Sequence, residues 1–258
     1  MDSNALTSLN YTSLIYLYNE SQTIKCGICF SKLSYTSLFD CYQDFLHIKE
    51  QEYFNKILHL KRKYSYLLGR YCAKYAINMY KTSVRERDIL IEHGIFNHPI
   101  VIHPLYSNIQ ISISHMKNLG VAVSFPESYP MAIDIEAINT VNSSVIKAYF
   151  TENELSQISG DVLNFDTYLT LLWTVKEGLA KVLKCGLLVP LSVFEVSKIA
   201  VDNEYIQSFF KNFSQYQALS FISGDMVCSI VYPSNANISF NIKSYKKWLY
   251  TMCDIHDI

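Results

Sequence analysis

The sequence predicts an α+β protein, and three observations carry that reading. Short apolar stretches with strand-like spacing gather near both ends of the chain and around its middle. Two long stretches instead repeat their apolar residues at three- and four-residue steps. These helical stretches stand grouped and do not take turns with the strands, which argues against a parallel α/β sheet.

Taken in order, Leu14 to Tyr18 and Ile24 to Phe30 are apolar runs between polar ones and predict the first strands. From about Ile48 to Tyr80 the spacing turns helical, through Phe54, Ile57 and Leu58 and then Leu67, Leu68, Tyr71, Cys72, Ala76 and Met79. Ile109 to Ile113 alternates and predicts a strand ending at Ser114-His115. Val121 to Phe125 and Met131 to Ile135 predict two more, joined as a hairpin or meander by a turn that holds Pro126 and Pro130. Val145 to Tyr149 and Asp166 to Leu183 read as helices, and Phe194 to Val196 and Met226 to Tyr232 return to strands. A boundary near residue 130 divides the chain into 1–130 and 131–258, each with a few strands and at least one long helix. The turn between them is short, so the halves are expected to pack as one two-lobed unit.

Bulk properties narrow the function classes. Half of the 258 residues are apolar and the net charge is −1, so no whole-chain basic field points to nucleic acid. No apolar run approaches the ~18 residues of a membrane span, and the start Met1-Asp2-Ser3-Asn4 lacks a basic leader region. Seven scattered cysteines read as reduced thiols of a cytoplasmic protein, and a monomer is expected. Cys26-Gly-Ile-Cys29 has no second ligand pair downstream, so no zinc site is predicted.

Four features could do chemistry. In a strand, Asp134 and Glu136 of Asp-Ile-Glu project to one face, where two carboxylates repel unless a hard cation such as Mg²⁺ or Mn²⁺ sits between them. A solvated strand face would produce the same pattern. On the helix that follows, Tyr168, Leu172, Val175, Leu179 and Val182 form an apolar stripe. Trp173, Glu177 and Lys181 step by four on the other side, as the wall of a cleft or as an exposed Glu–Lys pair would. Lys56, Lys61, Arg62, Lys63, Arg70 and Lys74 make the first helical region basic, which suits either phosphate or solvent. Ser114-His115 at a strand end is a structural pair or a catalytic one.

The order of these segments is more telling than any one of them. A basic helix, Ile-Ser-Ile-Ser-His-Met, Met-Ala-Ile-Asp-Ile-Glu, Phe150-Thr-Glu-Asn-Glu154 and Trp-Thr-Val-Lys-Glu-Gly-Leu-Ala-Lys follow one another. This arrangement resembles the Sfp-type phosphopantetheinyl transferases over roughly residues 48 to 232. Their hallmarks are an S-H segment, a G-I-D-I-E segment and a W-x-x-K-E-x-x-x-K helix, and Leu67-Leu-Gly-Arg70 with Ala73-Lys74 is similar to the family's N-terminal helix.

The resemblance implies two similar α+β subdomains, each a small antiparallel sheet with a long helix, related by a pseudo-twofold with coenzyme A between them. It implies Mg²⁺-dependent transfer of the 4′-phosphopantetheine arm of coenzyme A to a serine of an apo acyl or peptidyl carrier protein, with 3′,5′-ADP released. Asp134, Glu136 and Glu177 match the metal carboxylates, and Lys181 matches the lysine that closes the motif. Ser114 and His115 match the pair that contacts coenzyme phosphate, as Arg70 does in part of the family, with Lys74 a looser match. Glu177, or a water on the metal, would take the serine proton.

The chain departs from the pattern at three points. Asn97-His98-Pro99 replaces Gly-Lys-Pro, so His98 stands where a lysine would contact phosphate, and coenzyme affinity is expected to drop. Ala132 replaces the first residue of G-I-D-I-E, and Lys184-Cys185-Gly186 keeps only the second glycine after the helix. A metal-dependent phosphohydrolase and a carrier-binding module without turnover are the competing readings.

Overall fold

A computed structural model describes residues 9–81, 84–138, 147–157 and 163–254. The predicted α+β class is what it contains. By its internal contacts the chain forms two units. The first runs to Pro130 and also takes in Ile238–Phe240 and Met252; the second runs from Met131 to Asn237 and takes in Asn241–Thr251.

The first unit opens with strands β1 (Asn10–Tyr18) and β2 (Thr23–Ser31), then helices α1 (Tyr35–Phe45), α2 (Ile48–Lys56) and α3 (Leu60–Tyr80). A short ribbon of β3 (Leu90–His93) and β4 (Pro99–Ile102) follows, then β5 (Ile109–Met116) and β6 (Leu119–Pro126). With β12 (Asn237–Ser239), the antiparallel sheet has the order β12-β1-β2-β6-β5. Leu67, Leu68, Cys72, Ala76 and Ile77 of α3 are buried in the core that also takes Cys29 and Ala122 of the sheet. The close fit of helix to sheet depends on Gly27, where a Cβ would collide with the Ala76 carbonyl oxygen. This also accounts for Cys26-Gly-Ile-Cys29. Three steps along a strand turn the two thiols to opposite faces, and both are buried within β2.

The second unit has β7 (Ala132–Ala137), α4 (Glu152–Ser156), α5 (Phe165–Val182), β8 (Val196–Val201), β9 (Ile206–Phe210), β10 (Tyr216–Ser223), β11 (Met226–Pro233) and α6 (Ile242–Asp254). Its sheet has the order β7-β11-β10-β9-β8, with every pairing antiparallel. Here the glycine of close approach is on the helix, since a Cβ at Gly178 would stand 2.6 Å from Val231 of β11.

Two expectations change. The helical run from Ile48 is two helices, broken where Ile57 and His59 adopt extended backbone at a C-cap and an N-cap. The strands on either side of Pro126 and Pro130 form no hairpin: β6 lies between β2 and β5, while β7 pairs with β11. A strand as buried as β6 needs sheet neighbours on both sides, and the turn only carries the chain to the next unit. The helix expected at Val145 to Tyr149 lies partly outside the described residues.

Both units are held by the same kind of buried ion pair. Thr151 N-caps α4, and Glu154, three residues on, closes a capping box by accepting the Thr151 N–H at 2.8 Å. The other oxygen of Glu154 accepts the Val196 N–H at 2.8 Å, and Lys176 of α5 meets the carboxylate at 2.7 Å with both side chains wholly buried. Lys176 also donates to the Leu191 carbonyl at 3.0 Å. In the first unit Glu50 closes the capping box of His47, accepts the Ile91 N–H at 3.0 Å and pairs with Lys74 of α3. Lys74 in turn donates to the Ile89 carbonyl at 2.6 Å.

Removing one partner of such a pair strands a charge in a dry interior. Glu154→Gln or Lys176→Met should each cost about 3–5 kcal/mol in urea unfolding. The double variant should recover much of that loss, because no uncompensated charge remains. Equal losses in the single and double variants would show that the site depends on hydrogen bonds and not on charge.

Candidate active site

Strand β7 lies at one end of its sheet and carries the two carboxylates of Asp134-Ile135-Glu136 toward α5. Asp134 is buried and Glu136 half-buried, in register with Ser229 and Val227 of β11. From α5, Lys181 donates to Asp134 Oδ1 at 2.7 Å and to the Ile133 carbonyl at 3.2 Å. The Trp173 indole hydrogen-bonds to the Glu136 carboxylate. Glu177, one turn between them, faces the charge of Asp134. The four-residue step through Trp173, Glu177 and Lys181 therefore places all three against β7, and the predicted stripe of Tyr168, Leu172, Val175, Leu179 and Val182 is buried in the core.

The clamp behind α5 fixes this orientation. Lys176 is locked to Glu154 on the core side, so the next residue, about 100° around the helix, must turn away from it. Sequence reasoning missed Glu154. Its signal was present in Thr151-Glu-Asn-Glu154, which has the spacing of a capping box.

Electrostatically the site is short of positive charge. Burial, then Asp134, pushes the Glu136 carboxyl up to about 7, and burial with the Asp134 charge raises Glu177 as well. One lysine faces three carboxylates, so full ionisation leaves an excess of two negative charges in a partly desolvated place. The donor set is all oxygen, which suits a hard divalent cation such as Mg²⁺. Among the described residues no three His, Cys, Asp or Glu side chains stand at ligating spacing. Asp134 is drawn to Lys181 and Glu136 to Trp173, so a cation would have to compete for both.

The remaining candidates belong to the first unit. Ser114 is half-buried and His115 exposed near the end of β5, opposite Val121 and Gly120 of β6. His98 closes the β3–β4 turn, where its carbonyl accepts the Gly94 N–H at 2.8 Å and its ring covers Gly94. Asn97 before it has φ 60°, a left-handed value that asparagine tolerates in place of glycine. Arg70 is buried beside Glu50, with Nε 3.3 Å from the carboxylate and Nη2 3.0 Å from the Ile91 carbonyl. Its guanidinium lies 4.7 Å over the Tyr66 ring, and it lines a cavity of about 260 Å³ with Tyr53, Tyr66 and His93.

Lys74 is a correction. It is fully buried, and an ammonium has three N–H donors; they go to Glu50 and to the Glu86 and Ile89 carbonyls. Burial brings its pKa down to about 8. It holds the first unit together and has no donor left for a phosphate.

The comparisons with known proteins fall on this geometry. Residues 130–231, which hold β7 and α5, match the profile of the 4′-phosphopantetheinyl transferase superfamily. The chain is 28% identical over 153 residues to the 4′-phosphopantetheinyl transferase gsp of Aneurinibacillus migulanus, a match covering 58% of this chain and 61% of that protein. A holo-(acyl-carrier-protein) synthase from Bacillus anthracis, solved in complex with CoA (3′,5′-ADP), superposes with a TM-score of 0.35 and 18% identity, covering 43% of this chain and 96% of the other. Asp134, Glu136, Glu177 and Lys181, carried by β7 and α5, all lie within the matched residues.

Asp134→Asn removes a charge that raises both neighbouring carboxyls. In carbon-13 NMR titrations of the variant, Glu136 should titrate below its value of about 7, and Glu177 should fall with it. A Glu136 that still titrates near 7 would assign its shift to burial alone.

Proposed function

We infer that this chain transfers the 4′-phosphopantetheine arm of coenzyme A to a serine hydroxyl of an acyl or peptidyl carrier protein. The observation that supports this most is the meeting of Asp134, Glu136, Glu177 and Lys181 across β7 and α5, within the segment that matches the superfamily.

In the reaction the serine oxygen attacks the β-phosphorus of the coenzyme A pyrophosphate. A new P–O bond forms, the bond to the bridging oxygen breaks, and 3′,5′-ADP leaves. Asp134, Glu136 and Glu177 would hold Mg²⁺, or Mn²⁺ in its place, whose charge when bound would offset that developing on the pyrophosphate oxygens. Glu177 is suited to take the serine proton, because burial and the Asp134 charge raise its basicity. Lys181 brings a fixed positive charge beside the carboxylates for the phosphate oxygens of coenzyme A.

Phosphate contacts elsewhere are proposed for Ser114, His115, His98 and Arg70. Arg70 has the best physical support, since Arg70 and Lys74 together bring two cations to the single carboxylate of Glu50. Arg70 also lines a cavity with the Tyr53 and Tyr66 rings, beside Lys49, Glu50 and Glu92. Among the described residues no helix is long and apolar enough to cross a membrane. The buried free thiols of Cys26, Cys29, Cys72 and Cys228 support a reducing, cytoplasmic setting.

Intact mass spectrometry of apo acyl and peptidyl carriers after incubation with the protein, coenzyme A and Mg²⁺ tests the reading. One phosphopantetheine should be gained by a carrier, the gain should vanish with EDTA, and Asp134→Ala should lower the rate by ~100-fold or more, as the loss of a group that holds transition-state charge does. Absence of any gain across the panel would overturn it.

A further inference from the structure

The bend between α2 and α3 has a surface that its own packing does not explain. Ile57 and His59 are extended, so successive side chains there alternate in direction. Ile57 turns into the core, while Leu58 is 90% exposed and Leu60, at the start of α3, is 63% exposed. A single exposed leucine is ordinary. Two within three residues, at the point where two helices meet, form an apolar knob on the surface.

Cations adjoin the knob along the chain. Lys56, Lys61 and Arg62 flank it and are exposed, with Lys49 further back on α2. Between Ile48 and Lys63 the acids are Glu50 and Glu52. Glu50 is buried and committed to Lys74 and Arg70, so Glu52 is the one exposed acid of this stretch. This concentration occurs in a chain whose net charge is −1.

We propose that this bend is a docking surface for an acidic, apolar-faced helix of the carrier protein, an inference that rests on the transfer activity proposed above. An apolar residue of such a helix would seat against Leu58 and Leu60, and its carboxylates would face Lys56, Lys61 and Arg62. A nucleic-acid backbone fits less well, because the centre of the surface is hydrocarbon. Steering by the exposed cations would make association dependent on salt.

The test separates docking from transfer. A carrier whose acceptor serine is replaced by alanine is titrated, by fluorescence anisotropy, into the wild type and into Leu58→Ser/Leu60→Ser and Lys56→Glu/Lys61→Glu variants. Coenzyme A binding serves as the control for folding, and the transfer assay is run alongside. Each variant should weaken carrier binding ten-fold or more while binding coenzyme A as the wild type does. The charge-reversed variant should also lose most of the salt dependence. Unchanged carrier affinity in variants of a wild type that does transfer would overturn the docking surface and leave the activity standing. No carrier binding by the wild type would overturn it as well, and the mass assay would show separately whether the transfer reading falls with it.

Discussion

Each half of this protein is organised around one interaction, a buried glutamate–lysine pair that joins a short helix, a long helix and a strand. Burying such a pair carries a large desolvation cost, and it persists only if the remaining hydrogen-bonding capacity is met. Here it is met closely. Each carboxylate accepts the N–H of its own capping box and the N–H of a strand residue: Ile91, 41 residues after Glu50, and Val196, 42 residues after Glu154. Each lysine also donates to a carbonyl just ahead of that strand residue, Ile89 in one unit and Leu191 in the other. The pair ties elements far apart in sequence into one register, and slippage of any of them would leave a charge unpaired.

That rigidity also positions the candidate site of the second unit. Asp134 and Glu136 sit on a strand at one end of a sheet, where the backbone is already fixed by β11. The helix opposite must present Trp173, Glu177 and Lys181 at a definite rotation, and a helix resting on apolar contacts alone could roll by a few tens of degrees. Lys176, pinned on the core side, removes that freedom. Gly178 lets the same helix approach Val231 closely, which shortens the reach from Lys181 to Asp134.

Much of this site was legible in the sequence because its geometry is periodic. A period of two places Asp134 and Glu136 together, and steps of four place Trp173, Glu177 and Lys181 together, before any fold is known. Partnerships between distant segments carry no such signal. Nothing in Val121 to Phe125 says that its neighbours are β2 and β5 and not the next strand in sequence. Helix α1 passed unread because Tyr35 to Phe45 mixes aromatic and polar residues without a clean stripe, although Ser34 caps it and accepts the Ser37 N–H. Lys74 was misread because a buried lysine and a solvated one look alike in a basic run; what distinguishes them is Glu50, 24 positions earlier. Glu50 was harder to find than Glu154, since its capping partner is His47 and not a serine or threonine.

The two clamps are alike, yet their surroundings carry opposite charge. One turn before Lys74 stands Arg70, so the first unit brings two cations to one carboxylate. One turn before Lys176 stands Leu172, and the residue after it is Glu177, so the second unit adds an acid that turns toward two others. The corresponding place after Lys74 is Tyr75, stacked on Tyr71 with ring centroids 4.3 Å apart. The clamp is thus flanked by a second cation in one unit and by a further acid in the other. The difference rests on which side chain follows or precedes a buried lysine.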